Sequence, residues 1–191
     1  MFEQDIKRLL AARHEDFVDH TASHTAIDFH LPRRAICIDA KEKRQKFSTR
    51  NWAGALPPQE HLFIVDDLAV RKLLLHAPDS FCLIRDSSAP SVIYYVYSIV
   101  DFLCIPKQRS RRPIERSVRA MKGKWLVDFR DAAAFEELDQ ALDYILRYPR
   151  KRKEIFERHI DCWGKYHTEV ILTAGATRTA RYWKEDATSH R

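Results

Sequence analysis

The chain has 191 residues, of which 45% are hydrophobic and 11% aromatic, a composition that predicts a folded core and excludes a disordered chain. Its formal net charge is +6, and its longest apolar run falls short of the roughly 18–20 residues that a membrane-spanning helix needs. The four cysteines lie far apart without a Cys-x-x-Cys motif, and the N-terminal residues do not read as a signal peptide. We therefore expect reduced thiols in a cytoplasmic protein.

The first half of the sequence predicts a helix, a hairpin and a strand–helix–strand region. A helix is predicted over residues 2–18, where apolar residues recur near one face. Strands over residues 24–31 and 33–42 follow, joined by a corner at Pro32, and are expected to pair as a hairpin. The later predictions are a short strand at 61–65, a helix at 68–77, a strand at 80–86 and one long central strand at 91–106.

The second half predicts a basic segment, a strand and two helices. The strand covers residues 124–129, and Asp131 is predicted to cap a helix that ends at residue 147. A further helix is predicted over 153–171, and the tail from Thr173 is expected to be loose.

The positive charge is concentrated in residues 107–124, which hold eight Lys or Arg and one acid, so that the rest of the chain carries a net charge of −1. This concentration favours contact with a polyanion, because each phosphate that a protein neutralises releases counterions. A solvated basic surface is the alternative. A smaller basic cluster covers residues 41–46. The candidate nucleic-acid contacts in the two regions are Lys43, Arg44, Lys46, Arg109, Arg111, Arg112 and Arg116.

Acids interrupt the two strands of the predicted hairpin, where the neighbouring residues are apolar. Side chains alternate between the faces of a strand, so Asp39 and Lys41 share one face, about 6–7 Å apart, while Ile36 and Ile38 share the other. Asp28 on the neighbouring strand can reach the same surface. Two converging carboxylates repel each other unless a cation lies between them, and hard oxygen ligands suit Mg²⁺ or Mn²⁺. A lysine there can orient an attacking water, or deprotonate it if its own pKa is lowered. The alternative without a catalytic role is a surface ion pair on an edge hairpin.

This arrangement resembles the PD-(D/E)-x-K nuclease superfamily, whose core runs helix, strand, strand, strand, helix, strand. By position, Asp28 matches the first acid, Asp39 the second acid and Lys41 the lysine. The resemblance implies that Asp28, Asp39 and the backbone carbonyl of Ala40 bind the metal ion. Many members also carry a glutamate on the first helix, for which Glu3 is the candidate and Glu15 the substitute. A second Asp-x-Lys motif, Asp5-Ile6-Lys7, lies within the first predicted helix and serves as an internal control.

The resemblance implies an α/β fold with a restriction-endonuclease-like core in residues 1–105. Residues 106–191 would add the basic segment, a strand and a helical extension packed on the same domain. The implied activity is Mg²⁺- or Mn²⁺-dependent hydrolysis of phosphodiester bonds. The resemblance implies a DNA endonuclease that acts as a homodimer in restriction, defence, repair or a mobile element. The alternatives are a non-catalytic nucleic-acid-binding module and an interaction subunit of a larger defence or transposition complex. DNA or RNA, duplex, junction or single strand all remain open as substrates.

Three histidines precede or lie within the hairpin, at positions 20, 24 and 30. Their spacing allows a metal site, but His20 and His24 flank a helix end and a turn, so surface positions are the preferred interpretation for them, and His30 could touch a substrate. No phosphate-binding glycine loop, His-Glu-x-x-His motif or Gly-x-Ser-x-Gly motif occurs in the sequence.

Overall fold

Two β-sheets and four α-helices form the part of the chain that the computed structural model describes: residues 1–48, 52, 57–105, 107–114 and 117–159, with the backbone alone at 108, 109, 111–114, 117–122 and 150–159. The helices are α1 (Phe2–Ala12), α2 (Asp67–Leu75), α3 (Ile99–Cys104) and α4 (Leu138–His159). The strands are β1 (Val18–Asp19), β2 (Phe29–Leu31), β3 (Ile36–Lys43), β4 (Leu62–Asp66), β5 (Ser80–Asp86), β6 (Ile93–Ser98), β7 (Gln108–Ile114), β8 (Ser117–Asp128) and β9 (Ala133–Phe135).

The larger sheet has the strand order β1-β2-β3-β5-β6-β9, and the smaller sheet has the order β4-β8-β7. All neighbouring strands are antiparallel except β3 and β5, which are parallel. The expected mixed α/β class is therefore confirmed, as is the antiparallel hairpin of β2 and β3. No helix in the described ranges combines the length and the apolar character needed to cross a membrane.

The larger sheet is buried on both faces. On one face, Ile36 and Ile38 of β3 pack with Phe2 and Ile6 of α1 and with α4 residues such as Leu142. On the other face, Cys37 of β3 packs in a second apolar cluster with residues of α2, α3 and the smaller sheet. Successive residues of β3 therefore belong to different cores, as the two-residue period of a strand requires. This double burial positions the candidate site, because Asp39 follows Cys37 on the second face.

The predicted third strand of the core lies in a different sheet from the hairpin. Residues Leu62–Asp66 form β4, but β4 pairs with β8, and the neighbour of β3 is β5. The expected helices and strands up to β5 are present in order, together with the additional short strand β1, but the third expected strand, β4, does not join the sheet of the hairpin. Strand β8, which pairs with β4, begins at Ser117, seven residues before the predicted strand.

Several predicted boundaries are also wrong. The long strand over 91–106 ends at Ser98, whose Oγ accepts a hydrogen bond of 3.0 Å from Asp101 N and caps α3. Asp131 belongs to a short 3₁₀ turn, and α4 begins only at Leu138. Helix α4 then continues through Pro149 to His159, so the first expected helix and the start of the second are one helix; residues 160–171 of the second expected helix, and the tail after them, lie outside the described residues. Helix α1 ends at Ala12 instead of residue 18.

Candidate functional site

The hairpin of β2 and β3 brings Asp28, Asp39 and Lys41 together. The strands pair with Phe29 opposite Ile38 and His30 opposite Cys37, so extending the register by one residue places Asp28 opposite Asp39. The Nζ atom of Lys41 lies 2.6 Å from Oδ2 of Asp39 and 3.8 Å from Oδ2 of Asp28. The backbone N–H of Ala40 donates a 2.8 Å hydrogen bond to Asp28 Oδ2 and holds that carboxylate against β3. The three residues singled out in the sequence thus form one cluster.

The sharp corner between the strands fixes this register. Residues Pro32–Arg34 form a 3₁₀ turn, and Ala35 then takes a left-handed conformation with φ 53°. Leu31 and Ile36 are paired directly across the corner. Because a shift of one residue would move every side chain of β3 to the opposite face, the corner determines that Asp39 and Lys41 face α2.

Asp39 is fully buried, and its carboxylate has few polar partners among the described residues. Its exposed fraction is 0%, and neither carboxylate oxygen accepts a hydrogen bond of good geometry from the described residues, although Lys41 is within ion-pair distance. Burial raises the pKa of Asp39, and the charge of Asp28 raises it further, while Lys41 and the more distant Lys72 oppose the rise. The ionised carboxylate therefore costs folding free energy that a bound cation would recover.

Lys41 is held as an ammonium ion. Burial alone would lower its pKa, but the carboxylates of Asp39 and Asp28 outweigh that effect, and the pKa of Lys41 is raised on balance. A lysine with a raised pKa is a poor base for deprotonating water at neutral pH. In the metal-free protein, Lys41 is therefore suited to orienting a water molecule and to stabilising negative charge.

The Lys41 ammonium contacts the three oxygen groups expected to bind a metal ion. In addition to its contacts with the two aspartates, Nζ donates a 3.1 Å hydrogen bond to the carbonyl oxygen of Ala40. Two carboxylates and a carbonyl that converge on one cation form the kind of small oxygen set to which Mg²⁺ binds with several waters retained. No cluster of three or more His, Cys, Asp or Glu side chains in the described ranges is placed to hold a metal ion. The oxygen set therefore consists of Asp28, Asp39 and the Ala40 carbonyl.

Neither glutamate expected to complete this set lies at it. Helix α1, which carries Glu3, packs through Phe2 and Ile6 on the face of the larger sheet opposite Asp39. Glu15 follows α1 and accepts a 2.7 Å hydrogen bond from Nε of Arg34. The assignment of Glu3 as a metal ligand is thus corrected, because its helix covers the wrong face of the sheet. The control lysine, Lys7, forms an ion pair with Asp19.

The three basic residues after the site differ in their availability to a phosphate. Lys43 is 1% exposed; its Nζ lies 3.1 Å from Asp86 Oδ2 and donates to the carbonyl of Glu60 at 2.9 Å. Because its charge is buried and neutralised, the prediction of Lys43 as a nucleic-acid contact is corrected. Arg44 is exposed and pairs with Glu42, while Lys46 is exposed.

The basic segment forms most of a β-hairpin. Strand β7 is an edge strand of the smaller sheet and carries Arg109, Arg111 and Arg112, whereas Arg116 lies outside the described residues. Since β4 pairs only with Lys124–Asp128, the part of the hairpin that runs from Arg111 to Gly123 is two-stranded in the described residues. Two of the basic side chains make internal contacts: Lys107 lies over the Trp125 ring, and Lys124 pairs with Asp66.

A basic pocket adjoins the aspartates and was not predicted from the sequence. It is lined by His20, His30, Lys72 and His76, together with apolar residues and Thr25. The sequence gives no signal for this group, because Lys72 and His76 come from α2, about 40 residues after His30. The histidine at position 24, which the spacing groups with His20 and His30, does not line the pocket.

Comparisons of the chain with protein-family models, with curated proteins and with solved structures found no significant match. The functional argument therefore depends on the geometry of the site.

Proposed function

We propose that the protein is a metal-dependent nuclease of the PD-(D/E)-x-K type, with Asp28, Asp39 and Lys41 as its active site. The observation that carries the proposal is the position of the Lys41 ammonium between Asp39, Asp28 and the Ala40 carbonyl. A buried aspartate whose oxygens lack hydrogen bonds is costly for stability alone, and such costs are common at catalytic sites. Helix α1, the hairpin of β2 and β3, helix α2 and strand β5 follow one another in the order that the superfamily's core has, and this order supports the same proposal.

In this proposal Asp28, Asp39 and the carbonyl of Ala40 hold Mg²⁺ or Mn²⁺. The ion supplies Lewis acidity toward the scissile phosphate and a lowered pKa for attacking water. The Ala40 N–H fixes the orientation of Asp28, and the burial of Asp39 excludes water from one side of the site. Lys41, whose side chain is 31% exposed, can turn from the carboxylates toward a phosphate and stabilise the negative charge that develops on it.

The substrate class is a nucleic acid, and we propose DNA. The excess positive charge of the molecule lies in the segment that forms β7 and the start of β8, which suits a polyphosphate backbone. Contacts to phosphates set affinity and position, and do not by themselves read sequence.

Cleavage assays on three matched lysine and aspartate variants test the proposal. We expect Asp39→Asn to abolish cleavage or to require far more Mg²⁺, because it removes a charged ligand. Lys41→Met should lower turnover by about 10²–10⁴-fold and weaken nucleic-acid binding only slightly. Lys7→Met alters the control Asp-x-Lys motif and should cleave like the wild type. The substrates are labelled DNA and RNA duplexes, junctions and single strands, each with Mg²⁺, Mn²⁺ or EDTA.

Calorimetric titration with Mn²⁺ separates the two roles, since Asp39→Asn should lose metal affinity and Lys41→Met should keep it. Cleavage at wild-type rates by both variants would exclude this site as the active site. Binding of nucleic acid without cleavage of any substrate would favour the non-catalytic module, and activity that appears only with a second protein would favour the subunit of a larger complex.

A further inference from the structure

The pocket beside the aspartates combines four basic side chains and no acidic one. It has a volume of about 180 Å³ and lies between the last turns of α2, the loop before β2, and His30 of β2. Lys72 and His76 contribute from α2, and His20 from the loop. No carboxylate lines it, so the Lys72 ammonium, the imidazole N–H groups and the Thr25 hydroxyl can all donate hydrogen bonds to a ligand.

The basic side chains of the pocket are not engaged in hydrogen bonds or ion pairs with the described residues. Most of the other lysines and arginines whose side chains are described, such as Arg13, Arg34 and Arg85, form ion pairs. By contrast, no hydrogen bond or ion pair joins the side chains of His20, His30, Lys72 or His76 to the rest of the described residues. The rings of His30 and His76 are nearly parallel, with centroids 6.4 Å apart and an angle of 29° between them. Donors that are free and close together are suited to binding an anion.

The pocket lies next to the candidate active site on the same hairpin, although Asp28, Asp39 and Lys41 do not line it. The backbone N–H of His20 donates a 2.8 Å hydrogen bond to the carbonyl of Asp28. His30 is paired with Cys37 across the hairpin, and Cys37 and Asp39 share a face of β3. A phosphate in the pocket would therefore lie beside the aspartates and not on a remote surface.

The volume of the pocket suits a ligand, or a part of a ligand, that is small. Pockets that enclose a drug-sized ligand have volumes of about 300–1,000 Å³, well above the value here. A single phosphate fits this volume and matches the donors. A metal ion does not match, because no three metal-ligating side chains in the part of the chain described here come together closely enough to hold one.

We propose that this pocket binds a phosphate group of the nucleic-acid substrate adjacent to the bond that is cleaved, through Lys72 and the imidazoles of His20, His30 and His76. The identity of the substrate rests on the proposed nuclease function, whereas phosphate binding itself does not. The phosphate is either a terminal one or a backbone one, and both present the same anionic oxygens.

Titration of the metal-free protein with inorganic phosphate in EDTA tests the pocket without reference to catalysis. NMR signals of the His20, His30 and His76 rings should shift saturably, while His24, which does not line the pocket, should not. Lys72→Met should weaken binding by about tenfold or more, since it removes a charge-assisted contact. Arg71→Gln is the matched control: it removes one charge from the same helix, but Arg71 pairs with Asp67 and lies outside the pocket.

Oligonucleotides with a 5′-phosphate, a 3′-phosphate or neither distinguish the two sources. A terminal occupant predicts preferential cleavage of one phosphorylated end that Lys72→Met abolishes, and a backbone occupant predicts that Lys72→Met raises KM equally for all three. If the histidine signals do not shift, or if Lys72→Met and Arg71→Gln weaken phosphate binding equally, the proposal that this pocket binds phosphate is refuted, even if the protein cleaves DNA. If phosphate binds in the pocket but no substrate is cleaved, the phosphate site is supported and the proposed nuclease function is refuted.

Discussion

The partners Asp39 and Lys41 should affect the stability of the metal-free protein in opposite directions. Burial and the nearby Asp28 raise the pKa of Asp39, so the ionised carboxylate is disfavoured in the folded state at neutral pH. Asp39→Asn removes that cost and should leave the free energy of unfolding unchanged or raise it. Lys41→Met instead leaves two carboxylates without their shared cation and should cost about 1–3 kcal/mol.

Urea unfolding of both variants in EDTA at pH 7 measures these signs. The exposed Lys46→Met is the control for the loss of a lysine and should stay within about 0.5 kcal/mol of wild type. A large loss of stability in Asp39→Asn would identify a structural ion pair in place of a site under electrostatic strain.

Lys43 shows how far single residues can be placed from the sequence. Its side chain shares the face of β3 with Asp39 and Lys41, as the alternation of the strand predicts. The sequence does not show that Asp86 of the parallel strand β5 lies opposite, in register with Lys43. Such a pairing across strands distant in sequence depends on topology, so local pattern alone assigns Lys43 to the surface.

At the scale of elements, the hairpin was predictable and the sheets were not. The corner at Pro32 and the acids at fixed positions of two strands are local signals, and they led to the cluster of Asp28, Asp39 and Lys41. The break between β6 and α3 depends on a buried Ser98 that caps α3 and contacts the Tyr148 hydroxyl at 3.0 Å. In the sequence that serine lies in an apolar run, where continuation of the strand is the simpler interpretation.

The close approach of β8 to α2 gives a prediction about Gly123. A Cβ atom at this position would lie 2.8 Å from Cβ of Asp67, the first residue of α2, which is closer than such atoms approach. In a strand without such a contact, alanine is more favourable than glycine by about 0.5–1 kcal/mol. Here we expect the sign to reverse, with Gly123→Ala destabilising the protein by about 1–3 kcal/mol.

A double-mutant cycle with Asp67→Gly isolates the contact. Asp67 also accepts a 2.9 Å hydrogen bond from Trp125 Nε1, and the cycle subtracts the effect of removing that bond. The cost of Gly123→Ala should shrink in the Asp67→Gly background. An equal cost in both backgrounds, or a stabilising Gly123→Ala, would contradict the predicted clash.

At the scale of the whole molecule, the net positive charge is concentrated in one segment of the chain. The described core neutralises most of its cations with internal carboxylates, as at Lys43 and Arg85. The excess is carried by residues 107–124, most of which belong to the hairpin of β7 and β8. A charge that is concentrated on one element acts through the surface of that element, which makes its contribution measurable by substitution.

The last prediction concerns the dependence of nucleic-acid binding on salt. A variant of the basic segment, called the hairpin variant, changes four of its arginines to glutamine: Arg109, Arg111 and Arg112 of β7, and Arg116, which lies outside the described residues. A matched control makes the same change at four exposed arginines elsewhere: Arg8, Arg33, Arg71 and Arg147. If the hairpin binds the DNA backbone, the slope of log affinity against log salt should become shallower by about 0.9 for each phosphate that the hairpin variant no longer neutralises. The control has the same reduced net charge but an unchanged hairpin, and it should keep the wild-type slope.

Fluorescence anisotropy with labelled duplexes in EDTA measures both slopes. The weakening of binding should be alike for unrelated sequences, because phosphates are common to all of them. Equal slopes in the two variants would show that the hairpin does not touch the backbone and that only the overall charge attracts the DNA.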